Sequence, residues 1–489
     1  MNYKNILIKP LCIIVLILFL LCPFVVGAST ETRVLTTAKN PTGVRHYGTN
    51  ELVEIIKEYD NAYAEMRGVW VATVYNIAIS KQNGLNEKAI TDYKNEFLTI
   101  LDRMEEFGMN TIFFQVRPSN DAFYESELNP WSQFLVGSGV HPGWDPLEWM
   151  IDETHKRGFS FMCWMNAFRV TTETYVTNGS ALSLPVSELV QMKHDALANL
   201  AEGNFAKEHP EYVIAGSYDE KLILNPSEPA VQKFIVDTIM EIVENYDVDA
   251  IHFDDYFYAD GIDDSETRAK YNTEGLSVSD FRRKQVDTFI YNLKLELDEF
   301  NAQNNRFVQL GISPTGVYKN ASSQTEANTP IEDYVFDSNG NLIYPTGATI
   351  GCQMHYESYL YCDTLKWVNN EWINYILPQT YWAQNHSLAP YEKLINWWNQ
   401  AVSKKNVNLY AGMGIYMWLN NANEAYEQLV INDALENVQG TSIYSYKQIA
   451  AAYNNTDASA KEQMNDVKNY VWKNKTILPK VQGFNEVKL

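Results

Sequence analysis

Short apolar runs alternate with longer amphipathic stretches along most of the chain. Eight runs are rich in β-branched and aromatic residues: 68–74 (GVWVATV), 111–118 (TIFFQVRP), 160–168 (SFMCWMNAF), 250–257 (AIHFDDYF), 308–314 (VQLGISP), 373–382 (INYILPQTYW), 408–416 (NLYAGMGIY) and 440–446 (GTSIYSY). Such runs read as buried strands. Helical spacing fills the intervals. Residues 92–108 place apolar side chains on one face and stop at Gly108. Residues 144–158 start at Asp145-Pro146 and stop at Gly158, 227–246 start at Ser227 with Pro229 inside the first turn, and 279–300 repeat the pattern. Eight strands alternating with helices predict an α/β chain folded as a (β/α)8 TIM barrel over residues 65–450. An open doubly wound sheet is the alternative, but no glycine-rich phosphate loop follows the first strand. Long connections follow the third strand (169–226) and the fifth (321–347). Residues 29–64 and 451–489 read as extensions that pack on the barrel.

The first 28 residues change the picture of where the chain works. Lys4 and Lys9 precede an apolar run from Leu11 to Val26, and Gly27 and Ala28 follow. That layout predicts an export signal cleaved after Ala28, hence a secreted or cell-surface protein. An uncleaved N-terminal anchor is the other reading, because the run approaches membrane-spanning length. Beyond it, only Cys163, Cys352 and Cys362 remain, too few for a disulfide framework. A net charge of −23 argues against nucleic acid and anionic lipid as partners. Twelve Trp, 31 Tyr and 21 Phe supply flat rings that suit sugar faces as well as a core.

In a barrel of this kind the carboxyl ends of the strands build the active site. Those ends carry Arg117, Asn120 and Asp121 after strand 2, Asn166 and Arg169 after strand 3, and Asp254, Asp255 and Tyr256 after strand 4. Strand 5 offers Ser313, strand 6 Gln379, Tyr381 and Trp382, and strands 7 and 8 Tyr416, Trp418 and Tyr444. Adjacent carboxylates at a strand end are costly to bury without a purpose. With amides, arginines and aromatics at the other ends, they predict a site for a polyhydroxylated ligand. Arg117 reads either as a counter-ion for Asp254 or as a substrate contact. His252 reads either as a satisfied barrel-interior histidine or as a hydrogen-bond partner in the site. Trp382, Trp418 and Tyr416 read equally as core or as sugar platforms. No metal or cofactor is expected: HExxH and paired-histidine spacings are absent, and the acidic run 259–264 lacks an EF-hand ligand series. No GxSxG nucleophile elbow is present either.

The blocks EMRGVWVATV, NTIFFQVRPSNDAFYESELNPWSQFLVG, WDPLEWMIDETHKRG, WMNAFRV, LNPSEPAVQKFIVDTIMEIVENYDVDAIHFDDYFY, LGISPTGVYKN and YILPQTYW follow one another between residues 65 and 450. Together they resemble glycosyl-hydrolase-like family 10, secreted bacterial barrels also described as a domain of unknown function. The resemblance implies a glycoside hydrolase, and some members act on peptidoglycan glycan strands. It places the family's acidic pair on Asp254 and Asp255, its strand-2 arginine on Arg117, its strand-3 end on Asn166 and Arg169, and its Gln-x-Tyr on Gln379 and Tyr381. The chain departs where the family often has Asn-Pro after strand 3, since Ala167 follows Asn166, and it lacks a commoner glycine before Asp121.

The expectation is therefore an enzyme that cleaves O-glycosidic bonds of a cell-wall or related polysaccharide, with a peptidoglycan glycan strand favoured. Asp254 and Asp255 are the catalytic candidates. Arg117, Asn120, Asp121, Asn166, Arg169, Tyr256, Gln379, Tyr381, Trp382 and Trp418 are the substrate contacts. Strand neighbours point to opposite faces, so the backbone must turn near Asp255 for both acids to reach one sugar. Adjacent acids also occur in barrels that use the substrate's own N-acetyl group as nucleophile. A non-catalytic glycan-binding barrel and a metal-dependent deacetylase are the rival classes.

Overall fold

The computed structural model describes residues 64–358, 360–421 and 423–479, together with 32–34, 42, 50, 52 and 54–56. The signal segment 1–28 and most of the extension 29–64 lie outside the described residues. Eight parallel strands close into a barrel: β1 (Met66–Val71), β2 (Thr111–Arg117), β3 (Ser160–Met165), β4 (Ala250–Phe253), β5 (Gln309–Ile312), β6 (Tyr375–Ile376), β7 (Asn408–Met413) and β8 (Val438–Ile443). Each strand pairs with its sequence neighbour, and β8 pairs with β1. A helix leads from each strand into the next, and one follows β8: α1 (Glu87–Glu106), α2 (Pro146–His155), α3 (Pro229–Asn245), α4 (Val278–Asn304), α5 (Thr364–Asn369), α6 (Tyr391–Val402), α7 (Glu424–Ala434) and α8 (Tyr446–Tyr453), with shorter or additional helices in several connections.

Local chemistry sets the helix starts. Asp145 accepts from the backbone of Leu147 and Glu148 with Pro146 in the first turn, Asn86 caps α1, and Ser277 caps α4. Gly158 adopts φ +71°, the left-handed geometry that ends a helix without a Cβ penalty. The apolar face of each helix then covers the outside of the barrel, and the barrel's interior holds its own cluster of Trp70, Phe113, Met162, Trp164, Tyr375 and Tyr410.

One interior layer shows how tightly the strands interlock. Gln115, Trp164, His252, Gly311 and Tyr375 share a level across β2 to β6. Trp70 donates to His252 Nε2 at 3.2 Å, and His252 Nδ1 lies 3.0 Å from the Tyr375 hydroxyl. Burial holds this imidazole near about 3, so it is neutral, and both ring nitrogens are satisfied. His252 is thus an interior histidine rather than a group of the mouth. Its neighbour in β5 must be glycine: a Cβ on Gly311 would sit 1.8 Å from the Tyr375 ring.

The connection after β3 carries a helix (Val186–Ala198) and a small hairpin (Val213–Ala215 with Leu222–Leu224), and the one after β5 carries a second hairpin (Val335–Phe336 with Leu342–Tyr344). Past α8, the chain returns beneath the barrel. Glu65 accepts from Arg67 Nε at 2.7 Å and from Trp472 Nε1 at 3.2 Å, and the Arg67 guanidinium lies over the Trp472 ring. Cys163, Cys352 and Cys362 are free thiols. Among the described residues no helix is long and apolar enough to cross a membrane.

Candidate active site

The strand ladder of β4 stops at Phe253, and the backbone bends at Asp255. That bend replaces strict alternation, so both carboxylates face one mouth. Asp254 is 6% exposed. Its Oδ2 accepts from Asn166 Nδ2 at 2.6 Å and Trp164 Nε1 at 3.0 Å, and its Oδ1 accepts from Tyr256 N at 3.2 Å. Asp255 keeps part of its surface open to solvent.

The two acids differ in what surrounds them. Burial raises Asp254 above the ordinary carboxyl range, while the charge of Arg169 and the donors Asn166, Tyr256 N and Trp164 oppose it. Burial also raises Asp255, and there the neighbouring Asp254 charge adds to it, so Asp255 is pushed up to about 7. Gln379 and Arg169 pull back only in part. Two like charges held together cannot both ionise cheaply. The result is a split pair: Asp254 sits among donors suited to an anion, and Asp255 holds its proton to near neutrality.

Behind Asp254 runs a relay of amides. Gln115 Oε1 accepts from the backbone N–H of Thr73 (3.0 Å) and Val74 (2.9 Å), its Nε2 donates to Asn166 Oδ1 at 2.7 Å, and Asn166 donates on to Asp254. Arg169 Nη1 also donates to Asn166 Oδ1 at 3.0 Å. Both ends of the Asn166 amide are therefore fixed, which aims Asp254. Gln115 and Trp164 were not foreseen. Gln115 had a visible signal, a polar side chain alternating with Phe113 inside an otherwise apolar strand.

The cation near the acids is Arg169, not Arg117. Arg169 lies with its guanidinium carbon 4.4 Å from the Tyr256 ring centre, and Tyr256 is half exposed. Arg117 is fully buried. A bulge separates it from Gln115 in the β2–β3 pairing and turns it toward α3, where it lies over Phe234. There it donates to Asn129 Oδ1 (3.1 Å), to the carbonyls of Asn166 (2.8 Å) and Ala167 (3.0 Å), and to Asn120 Oδ1. Its work is to brace the loop after β3, so both earlier readings of it, counter-ion and substrate contact, are corrected. Asn120 is fully buried on that same clamp. Asp121 lines a neighbouring cleft, and its carboxylate accepts from Ser119 N at 3.1 Å and Ser132 Oγ at 2.6 Å.

Across the mouth, Gln379 donates to the Ser313 carbonyl at 2.8 Å and reaches Asp255. Tyr381 stacks on Tyr444 at 5.8 Å and meets Tyr416 edge-on at 6.1 Å, and both acids act electrostatically on the Tyr381 and Tyr444 hydroxyls. Trp418 is another correction. The turn Ile415–Met417 after β7 points Tyr416 (42% exposed) outward and sends Trp418 (6% exposed) into the main core. Trp382 is half buried and packs on a small cluster of Val317, Ala389 and Leu394, so it is not an open platform. The acidic run 259–264 also has a structural job, since Asp264 is paired with Arg268 (2.8 Å) and Arg282 (2.7 Å). Among the described residues no group of three or more His, Cys, Asp or Glu side chains is arranged to hold a metal ion.

A parallel (β/α)8 barrel with a split carboxyl pair, an amide relay and aromatic walls at its mouth carries the groups that a glycoside hydrolase needs. Comparison with known proteins agrees with that class. The model of the family described as glycosyl hydrolase-like 10 matches residues 65–429, and the chain belongs to that family. Membership sets it among the glycoside hydrolases. The chain is 33% identical over 399 residues to the glycosyl hydrolase YngK of Bacillus subtilis strain 168, covering 79% of this chain and 69% of that one. It is 30% identical over 406 residues to the glycosyl hydrolase DigH of Escherichia coli K12, covering 78% of this chain and 82% of that one. Among solved structures, the glycoside hydrolase domain of PgaB (BpsB) from Bordetella bronchiseptica aligns over 83% of this chain and 98% of that one, with 11% identity and a TM-score of 0.48.

Proposed function

We propose that the protein is an exported glycoside hydrolase that cleaves O-glycosidic bonds in a cell-wall polysaccharide, with a peptidoglycan glycan strand as the favoured substrate. Asp255 is the general acid and Asp254 its ionised partner. The observation that carries this reading is the unequal pair: Asp255 pushed up to about 7 beside an Asp254 that three donors hold in place. Glycosidic cleavage needs one carboxyl able to give a proton to the leaving oxygen. It also needs a negative partner facing the positive charge that grows at the anomeric carbon. Arg169, Asn166 and Gln379 bind and orient, and Tyr256, Tyr381, Tyr416 and Tyr444 offer ring faces and hydroxyls. The layout of residues 1–28 supports export.

The test is reducing-end release with mass spectrometry of products from purified peptidoglycan glycan strands, with chitin and plant glycans run in parallel. Asp254→Asn and Asp255→Asn should each lower turnover at least about a hundredfold, the low end for losing acid–base catalysis. Near-parental turnover in both variants on a confirmed substrate removes the pair from catalysis. Binding without any product from the parent chain would favour a glycan-binding barrel instead.

A further inference from the structure

The turn after β1 holds a backbone outlier. Tyr75 and Asn76 have φ of +54° and +51°, two successive left-handed positions without glycine. Such backbone costs free energy at other residues and persists where the surroundings enforce it. Asparagine tolerates the region, and the Asn76 amide is fixed: its Nδ2 donates to the carbonyls of Phe134 at 2.7 Å and Ile79 at 3.3 Å. Tyrosine has no such tolerance, and glycine at 75 would follow the same path at lower cost. Burial gives little reason for the ring, because Tyr75 is 50% exposed. Phe134 meets it at 60° with centroids 5.8 Å apart, and among the described residues no other ring packs on it. Whichever of the two presents its edge, at least one face of Tyr75 stays clear of that contact. The hydroxyl donates to the Thr172 carbonyl at 2.6 Å, which fixes the tip of the ring.

Several contacts place this ring at the mouth. Tyr75 directly follows Val74, whose N–H and that of Thr73 donate to Gln115 Oε1, where the relay through Asn166 to Asp254 begins. Thr172, which receives the hydroxyl, lies just past Arg169 in the chain, and Lys221 donates to the same carbonyl. The charge of Arg169 reaches the Tyr75 hydroxyl as it reaches both acids. Arg169 also lies over the ring of Tyr256, which is 48% exposed. Two half-exposed tyrosines, on the loops after β1 and β4, thus share one arginine of the mouth.

We infer that Tyr75 is a further substrate contact, a platform whose open face takes the apolar face of a sugar ring in a glycan bound at the acid pair. Tyrosine suits that place, with an apolar body for the sugar and a polar tip bonded to the protein. The left-handed turn presents the ring, and the ring sets affinity rather than the chemical step. This inference rests on the reading of Asp254 and Asp255 as a glycosidase site.

The experiment is hydroxyl-radical footprinting of the full chain carrying Asp255→Asn, read residue by residue by mass spectrometry. The probes are purified peptidoglycan glycan strands and β-1,4-linked N-acetylglucosamine hexasaccharide. Bound glycan should slow oxidation of Tyr75 and leave Tyr470, 60% exposed on the C-terminal extension, unchanged. In the otherwise unaltered chain, Tyr75→Gly keeps the turn and removes the ring. It should raise KM about tenfold, the scale of one ring contact, at unchanged kcat. Tyr75→Phe keeps the ring, loses the bond to Thr172, and should retain the parental KM. A tyrosine that only latched the loop would make the two variants equally poor. That outcome overturns the platform, as does an unchanged KM in Tyr75→Gly, a fall in kcat at parental KM, or a parent that binds neither probe. Product release without protection of Tyr75 overturns the platform and leaves the hydrolase standing. A parent whose Tyr75 is protected by glycan but that releases no product leaves the platform standing and overturns the hydrolase.

Discussion

The loop after β4 carries two kinds of buried acid. Asp264 is met by two arginines, Arg268 at 2.8 Å and Arg282 at 2.7 Å, and its carboxyl lies below the ordinary value even though burial works the other way. Among the described residues, no cation is in direct contact with Asp254 or Asp255, earlier on the same loop. Arg169 is close enough to act on both, yet it spends Nη1 on Asn166 and the Pro118 carbonyl. Burial therefore wins, and both carboxyls rise. One acid is neutralised to hold the loop in place, and the other two are left short of positive charge, which keeps a proton available. The bottom of the barrel repeats the first solution, with Glu65 paired to Arg67 at 2.7 Å. In the loop after β4 the fully paired acid anchors structure, and the two incompletely paired acids are the ones proposed to carry the chemistry.

The largest effect should come from breaking the paired acid. Asp264→Asn leaves Arg282 buried without its partner and should cost about 3–5 kcal/mol of stability in urea unfolding. The activity of the molecules that remain folded should be largely kept. A loss below about 1 kcal/mol would mean that Asp264 is not a neutralised anchor.

Asp255→Asn should move stability the opposite way. The folded Asp255 carboxyl lies above its unfolded value near 3.9, so its favourable contribution is complete below that value and is lost as pH rises through about 7. Asn cannot lose it. The variant's melting temperature should match the parent's near pH 4 and exceed it increasingly up to pH 8. A constant difference across that range contradicts the raised carboxyl.

A smaller effect should follow from Arg169→Gln. Arg169 lowers both acids, so its removal should raise both and move the alkaline limb of kcat/KM to higher pH, by a fraction of a unit to about one unit. A shift to lower pH would show that Arg169 does not act on the pair through its charge.

Much of the barrel was legible because its punctuation is chemical. Asp145-Pro146 and Gly158 each mark a helix boundary that the structure respects, whereas α4, expected from residue 279, starts at Val278 with Ser277 as its cap. Strand ends were less legible. The run 373–382 reads as one long strand, yet its ladder covers only Tyr375–Ile376, because Pro378 has no N–H to continue it. Gln379 then rejoins its neighbours through single bridges. Placing side chains needed more than position along a strand. Arg117 and Arg169 both stand at strand ends, but one bulge sends Arg117 outward to the loop clamp while Arg169 stays at the mouth. Tyr416 and Trp418 are equally aromatic and nearly adjacent, and a tight turn sends one out and the other into the core. Bulges and turns of this size leave no periodic trace in a sequence. Gln115 was readable in principle, as a polar residue on the inward phase of a buried strand.

The most direct measurement is a carboxyl carbon-13 NMR titration of the aspartates, assigned through Asp254→Asn, Asp255→Asn and Asp264→Asn. Asp255 should titrate near pH 7, with a second step shared with Asp254 because the two are coupled, while Asp264 should stay ionised to below the ordinary carboxyl range. If Asp254 and Asp255 both finish titrating below about pH 4, with Asp264 beside them, the acids of the mouth are ordinary carboxylates and the proposed proton donor does not exist.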